Sequence, residues 1–212
     1  MSDTCFTTFL VDDEPAILRA IARLLGAAGY RTKSFSSPHK FLVAHDPSIP
    51  GCAIIDLAMS ELDGLAVQEA LIKSGSNRPI IFLTGRGDVS STVKAMKAGA
   101  VDFLTKPVKS EALLSAIAKA AELDKLSRKR NRETALIGER LGRLTHRERQ
   151  VLEHVISGRL NKQIAASLGT VEKTVKVHRG RMMAKLGVRS VADLVRLAEK
   201  AAIEPAQPTP LA

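Results

Sequence analysis

The hydrophobic pattern changes period along the chain, and those changes divide it into short strands and amphipathic helices. Residues 6–11 form an apolar run that stops at Asp12, Asp13 and Glu14. Pro15 suits the first turn of a helix. Ile17, Ile21, Leu24, Leu25 and Ala28 then recur at helical spacing up to Gly29. Residues 30–35 read as a second strand, and Ser37-Pro38 opens a short helix carrying Phe41 and Leu42. Residues 46–51, with two prolines, read as a loop. A third apolar run ends abruptly on Asp56, and residues 57–63 form a loop before Gly64. Residues 65–72 are helical. Residues 79–83 are a fourth strand ending on Thr84, and residues 89–98 are a helix stopped by Gly99. Residues 101–104 are a fifth strand, followed by Thr105, Lys106 and Pro107. Ser110 caps a long helix whose apolar spacing runs to Ala121 and then turns polar.

Strands alternating with helices predict an α/β domain: a doubly wound, five-stranded parallel sheet with helices on both faces. Residues 143–203 carry only helical signals and predict a small all-α domain of four helices. Thr145 and Glu148 make a capping box. The helix they open buries Val151, Leu152, Val155 and Ile156, and Gly158 ends it. A second short helix turns Ile164, Ala165 and Leu168 inward and ends at Gly169. A third spans 172–186, with Val175, Met182 and Leu186 toward the core, and a fourth spans 190–202. Two short helices joined by a tight glycine turn, the second of them basic, describe a helix-turn-helix. Between the domains, residues 123–142 are predicted to be a helical linker. It either pairs two chains or is simply solvated, because apolar heptads are not sustained along it.

Charge separates the halves. Residues 1–124 hold 13 Lys+Arg and 14 Asp+Glu, a net of −1. The remainder holds 19 and 8, a net of +11 that accounts for the +10 of the whole chain. All the excess positive charge therefore sits in the helical part, the footprint of a nucleic-acid-binding module. The candidate DNA contacts on the third helix are Lys173, Thr174, Lys176, Val177, Arg179 and Arg181. Of these, Lys173, Arg179 and Arg181 suit phosphates, and Lys176 and Val177 suit base edges. His178 has no second ligand at metal-binding spacing. The bland alternative is a helical bundle with a solvated basic face. No run of about 18 apolar residues is present, so no membrane span is expected. No export signal is seen at the start, which predicts a cytoplasmic protein with free thiols at Cys5 and Cys52.

In a parallel sheet every strand's carboxyl end lies on one edge, where such folds bind ligands. Asp12, Asp13, Asp56, Thr84 and Lys106 all sit there. Three carboxylates crowded together repel one another unless a cation joins them. A hard divalent ion with oxygen ligands fits, and Mg²⁺ is the cofactor expected. Asp56 is then a nucleophile toward a phosphoryl group, with Mg²⁺ and Lys106 neutralising the phosphoryl oxygens. Taken singly, these residues have ordinary explanations: helix N-terminal charges, a strand threonine, a solvated lysine, a turn aspartate.

The motifs VDDE, IID at Asp56, Asp63-Gly64 and LTGRGDVSSTVKAMKAGAVDFLTKPV resemble the flavodoxin-like receiver domain of FixJ-type two-component response regulators, over about residues 4–122. The resemblance implies that Asp56 is the phospho-acceptor, Asp12 and Asp13 the metal-binding pair, Thr84 the switch hydroxyl and Phe103 the switch aromatic. It also implies that Lys106 pairs with the phosphate, that Ala58 offers the metal a backbone carbonyl, and that Lys106-Pro107 is cis. Where the family usually has Met-Pro, this chain has Met59-Ser60, which predicts a looser loop after Asp56. Residues 144–197, beginning LTHRERQVLEHVISG, resemble the LuxR-type DNA-binding domain. Lys176 and Val177 fall at its base-contacting positions, and Gly180 falls where some relatives carry a lysine.

The whole chain thus resembles a NarL/FixJ-family response regulator. The expected partners are a sensor histidine kinase, double-stranded DNA, a second copy of the chain when phosphorylated, and the transcription machinery. It is expected not to be an enzyme beyond self-phosphorylation from a phosphodonor and slow self-dephosphorylation. The rival readings are a DNA-binding regulator whose receiver ignores phosphate, and a hydrolase with an aspartyl-phosphate intermediate.

Overall fold

The computed structural model describes residues 6–85 and 89–206; Cys5 and the Arg86-Gly87-Asp88 stretch of the quoted motif lie outside them. Five parallel strands form one sheet: β1 Thr7–Val11, β2 Arg31–Phe35, β3 Gly51–Asp56, β4 Ile80–Thr84 and β5 Asp102–Thr105. Their order is β2-β1-β3-β4-β5, and all pair in parallel, as the alternation of elements predicts. The central strands are buried on both faces, which is why they read as unbroken apolar runs. Period-two alternation sorts their side chains. Leu10, Ile54, Ile81 and Leu83 face α1 (Pro15–Ala27) and α5 (Ser110–Gly142). Phe9, Val11, Ala53, Ile55 and Phe82 face the other layer, α2 (Pro38–Ala44), α3 (Gly64–Lys73) and α4 (Val89–Lys97).

Helix α5 is a single 33-residue element. Its buried stripe runs through Leu113, Ala116, Ile117 and Ala120 and then continues with a charged residue, Asp124. Asp124 Oδ2 accepts from Gly51 N at 3.2 Å and from Arg128 Nε at 2.8 Å. Arg128 also donates to the carbonyls of Pro47, Ser48 and Ile49. The first compact unit of the chain accordingly ends at Arg128. The polar composition after Ala121 assigns these residues to the linker, but they clasp the loop before β3.

The second unit is built on α6 (His146–Ile156), α7 (Asn161–Ser167), α8 (Glu172–Leu186) and α9 (Val191–Lys200), with the end of α5. Its core holds Leu141, Val151, Leu152, Val155, Ile164, Val175, Met182, Leu186 and Leu194. The predicted capping box is present: Thr145 Oγ1 accepts from Glu148 N, and Glu148 Oε2 accepts from Thr145 N. Glu148 is buried and also takes Lys185 Nζ at 2.6 Å. Burial alone would raise its carboxyl, but the Lys185 ammonium and the Thr145 donors outweigh that and hold it below its ordinary range. Gly169, at φ 62°, makes the turn from α7 toward α8, a conformation that L side chains resist.

Candidate functional site

β1 and β3 are neighbours, while β2 lies on the far side of β1, so the chain winds in opposite directions from that point. The crevice there is where open α/β sheets bind ligands. β1 delivers Asp12 and Asp13 to it and β3 delivers Asp56. β4 ends in Thr84, and Lys106 follows β5. Asp12, Asp56 and Thr84 are buried, while Asp13 is half-buried. Gly64 lets the next helix close up behind Asp56, because a Cβ there would come within 2.6 Å of the Asp56 carbonyl oxygen. The Lys106-Pro107 peptide is cis.

Lys106 Nζ lies 2.8 Å from Asp12 Oδ2, 3.2 Å from Asp56 Oδ1 and 3.6 Å from Glu14 Oε1. Burial alone would lower the ammonium's pKa. The hydrogen bond and charge of Asp12, then Asp56, reverse this and raise it, so Lys106 is a fixed cation. Burial pushes the Asp56 carboxyl up; Lys106 opposes this, and Asp12 and Asp13 add to it. Asp56 Oδ1 is buried and makes no well-formed hydrogen bond among the described residues, its contact with Lys106 being an ion pair at 3.2 Å. A buried carboxylate oxygen left in that state marks a place where a ligand or ion is expected.

Asp12, Asp13 and Asp56 each offer an oxygen within 4.8 Å of the others. Three carboxylates with this spacing suit a hard divalent cation and would repel one another without it. The predicted strand-end residues therefore come together as one site. Phe103, in β5, is half-buried and packs on Phe82 with ring centroids 6.4 Å apart. Ala58 is exposed in the loop after Asp56.

That loop, which the sequence predicts to be loosened by Ser60, is tied at several points. Ser60 N donates to Asp13 Oδ2 at 2.8 Å, and Ser37 Oγ donates to Glu61 Oε2 at 2.7 Å. Asp63 Oδ1 caps α3 through Ala66 N. The Ser60 donor holds the Asp13 carboxyl below its ordinary range, against the effect of burial. In the sequence, serine in place of proline signals only a loss of rigidity, whereas it also supplies an N–H that proline lacks. Glu14 likewise reads as the end of an acidic run and not as a neighbour of Lys106.

On α8, Lys173, Lys176, Val177, Gly180 and Arg181 share one exposed face. Lys176 pairs with Glu172 at 3.4 Å on the helix surface. Thr174 and Arg179 are half-buried at the sides of that face. Arg179 Nη1 donates to Asn161 Oδ1 at 3.0 Å, which ties α8 to the start of α7.

A phospho-receiver crevice followed by a basic helix-turn-helix defines a class of regulator, and comparison with known proteins agrees. The response regulator receiver domain family matches residues 8–118, and the luxR family of bacterial regulatory proteins matches residues 143–198. The response regulator protein TodT of Pseudomonas putida is 44% identical over 200 residues, covering 94% of this chain and 88% of TodT. The transcriptional regulatory protein FixJ of Azorhizobium caulinodans is 37% identical over 199 residues, covering 93% of each. The solved structure of the response regulator StyR superposes with a TM-score of 0.81 at 42% identity, covering 92% of this chain and 98% of StyR. The chain belongs to the NarL/FixJ family of two-component response regulators, and it is a phosphorylation-regulated, DNA-binding transcription factor. Among the described residues no helix is long and apolar enough to cross a membrane.

Proposed function

We propose that Asp56 takes a phosphoryl group from the phosphohistidine of a sensor kinase, and that this pairs two chains on DNA. The observation that carries the reading is the buried, unhydrogen-bonded Asp56 Oδ1, 3.2 Å from Lys106 and flanked by Asp12 and Asp13. The carboxylate oxygen attacks phosphorus as the bond to the histidine nitrogen breaks, and the leaving imidazole keeps that electron pair. Asp12, Asp13, Asp56 and the Ala58 carbonyl would hold Mg²⁺, which when bound offsets the negative charge on the phosphoryl oxygens. Lys106 pairs with one of those oxygens and Thr84 hydrogen-bonds another. Drawing Thr84 inward makes room for Phe103, which alters the face made by α4, β5 and α5, and that face pairs two receivers. Two copies of α8 then meet a two-fold-related DNA site and engage the transcription machinery. The protein works in the cytoplasm as a phospho-acceptor whose own chemistry is limited to self-phosphorylation and slow self-dephosphorylation.

Acetyl phosphate with Mg²⁺ tests this. The wild type should gain one phosphoryl group by mass, sediment as a dimer and bind its selected DNA more tightly. Asp56→Asn should do none of these. Dimerisation and tighter DNA binding by Asp56→Asn under the same treatment would overturn the proposal.

A further inference from the structure

The acidic crevice has an asymmetry in how its carboxylates are held. Asp12 has both oxygens engaged: Oδ1 accepts from Glu14 N at 2.8 Å, and Oδ2 takes Lys106. Asp56 is buried beside the same lysine. Asp13 is half-buried, and a swing toward water would relieve its repulsion from the other two. The hydrogen bond from Ser60 N opposes that movement, at 2.8 Å and across 47 residues of sequence. The donor is itself fixed in place. Met59 is buried in the core just before it, Glu61 is bonded to Ser37 just after it, and Asp63 caps α3. Ser60 itself is exposed, and its hydroxyl adds to the hold on Asp13 less than its backbone N–H does.

We propose that Ser60 is a positioning residue whose backbone N–H keeps Asp13 in the crevice, and that it thereby sets the affinity of the site for a divalent cation. The bond takes Oδ2 of a carboxylate that also offers an oxygen to the cluster with Asp12 and Asp56. In the metal-free protein it replaces part of the attraction that the cation would supply, so less reorganisation is needed on binding. The inference rests on the Mg²⁺ reading given above and adds to it a residue that touches neither metal nor phosphoryl group.

Two measurements on the full chain test it. The first is calorimetric titration with Mg²⁺ of the wild type, Ser60→Ala and Ser60→Pro. Alanine keeps the N–H and proline removes it. Ser60→Ala, which loses only the weaker hydroxyl contact, should bind within about twofold of the wild type, and Ser60→Pro should bind about three- to tenfold more weakly, the scale of one ordinary hydrogen bond. Equal affinity in wild type and Ser60→Pro would overturn the proposal, and so would an equal loss in Ser60→Ala and Ser60→Pro. The second is hydrogen exchange of the Ser60 amide without metal. It should be protected in the wild type and lose that protection in Asp13→Ala; unchanged exchange would overturn the latch. If the wild type binds no Mg²⁺ while the Ser60 amide is protected as expected, the metal reading fails, and with it Ser60's role in affinity.

Discussion

At the scale of single residues, Asp56 shows what a reactive position costs the fold. Burial and two neighbouring carboxylates raise its pKa, with Lys106 only partly offsetting them. A group whose pKa is raised on folding favours the native state while protonated, and that advantage is lost as pH rises through its folded value. Ionised Asp56 is therefore a cost above its unfolded pKa of about 3.9 and increasingly so toward neutrality. Asp56→Asn should be more stable than the wild type at pH 7 without metal, by roughly a few degrees in Tm. The difference should shrink to nothing as the pH is lowered through that range. Tyr30, the one tyrosine in a chain without tryptophan, packs against the core of this unit and gives a fluorescence signal for its unfolding. Lower stability of Asp56→Asn at pH 7 would contradict the assignment of Asp56 as a strained anion. The carboxylates themselves were legible in the sequence because each ends an apolar run. Their backbone donors were not: Ser60 N and Glu14 N belong to loops, and the tie between Ser60 and Asp13 spans 47 residues. No periodic signal encodes such a contact.

At the scale of elements, α5 marks the limit of hydrophobic periodicity as a guide to burial. The stripe Leu113, Ala116, Ile117 and Ala120 is continued one turn later by Asp124 on the same face. A carboxylate there looks like solvated linker in the sequence. It is buried because Gly51 N and Arg128 meet it, and Arg128 in turn satisfies the carbonyls of the 47–49 loop. Buried polar groups of this kind hold only as a set. Arg128→Ala removes four donations and leaves Asp124 without its ion pair. The arginine side chain is 31% exposed, so the cost falls below that of a fully buried pair, at about 1–2 kcal/mol. The expected result is amide exchange roughly tenfold faster in residues 46–51 and 121–128, with exchange in β4 unchanged. An unaltered exchange pattern would return Asp124 and Arg128 to the linker. The parallel sheet, by contrast, was legible because five short strands alternate with helices, which calls for right-handed crossovers.

For the whole molecule, the charge division of −1 over residues 1–124 against +11 over residues 125–212 assigns DNA affinity to the C-terminal part of the chain, but net charge does not say which cations are used. The helical repeat does. Lys173, Lys176 and Arg181 fall on the exposed face of α8 with Val177 and Gly180, whereas Arg179 lies to its side and is engaged by Asn161. In the sequence Arg179 groups with Lys173 and Arg181 as a phosphate contact, because the partner that separates it from them is 18 residues away on another helix. The two roles predict different salt behaviour. Removing one cation from a phosphate lowers the slope of log affinity against log salt by about 0.9. Lys173→Gln in a DNA-bound dimer takes away two such cations and should flatten the slope by about 1.8, with the melting temperature unchanged. Arg179→Ala should lower the melting temperature of the second unit and weaken binding at every salt concentration while leaving the slope close to that of the wild type, because the residue holds α8 against α7 and releases no counterion. A flattened slope in Arg179→Ala equal to that of Lys173→Gln would show that the arginine leaves Asn161 for a phosphate when DNA is bound.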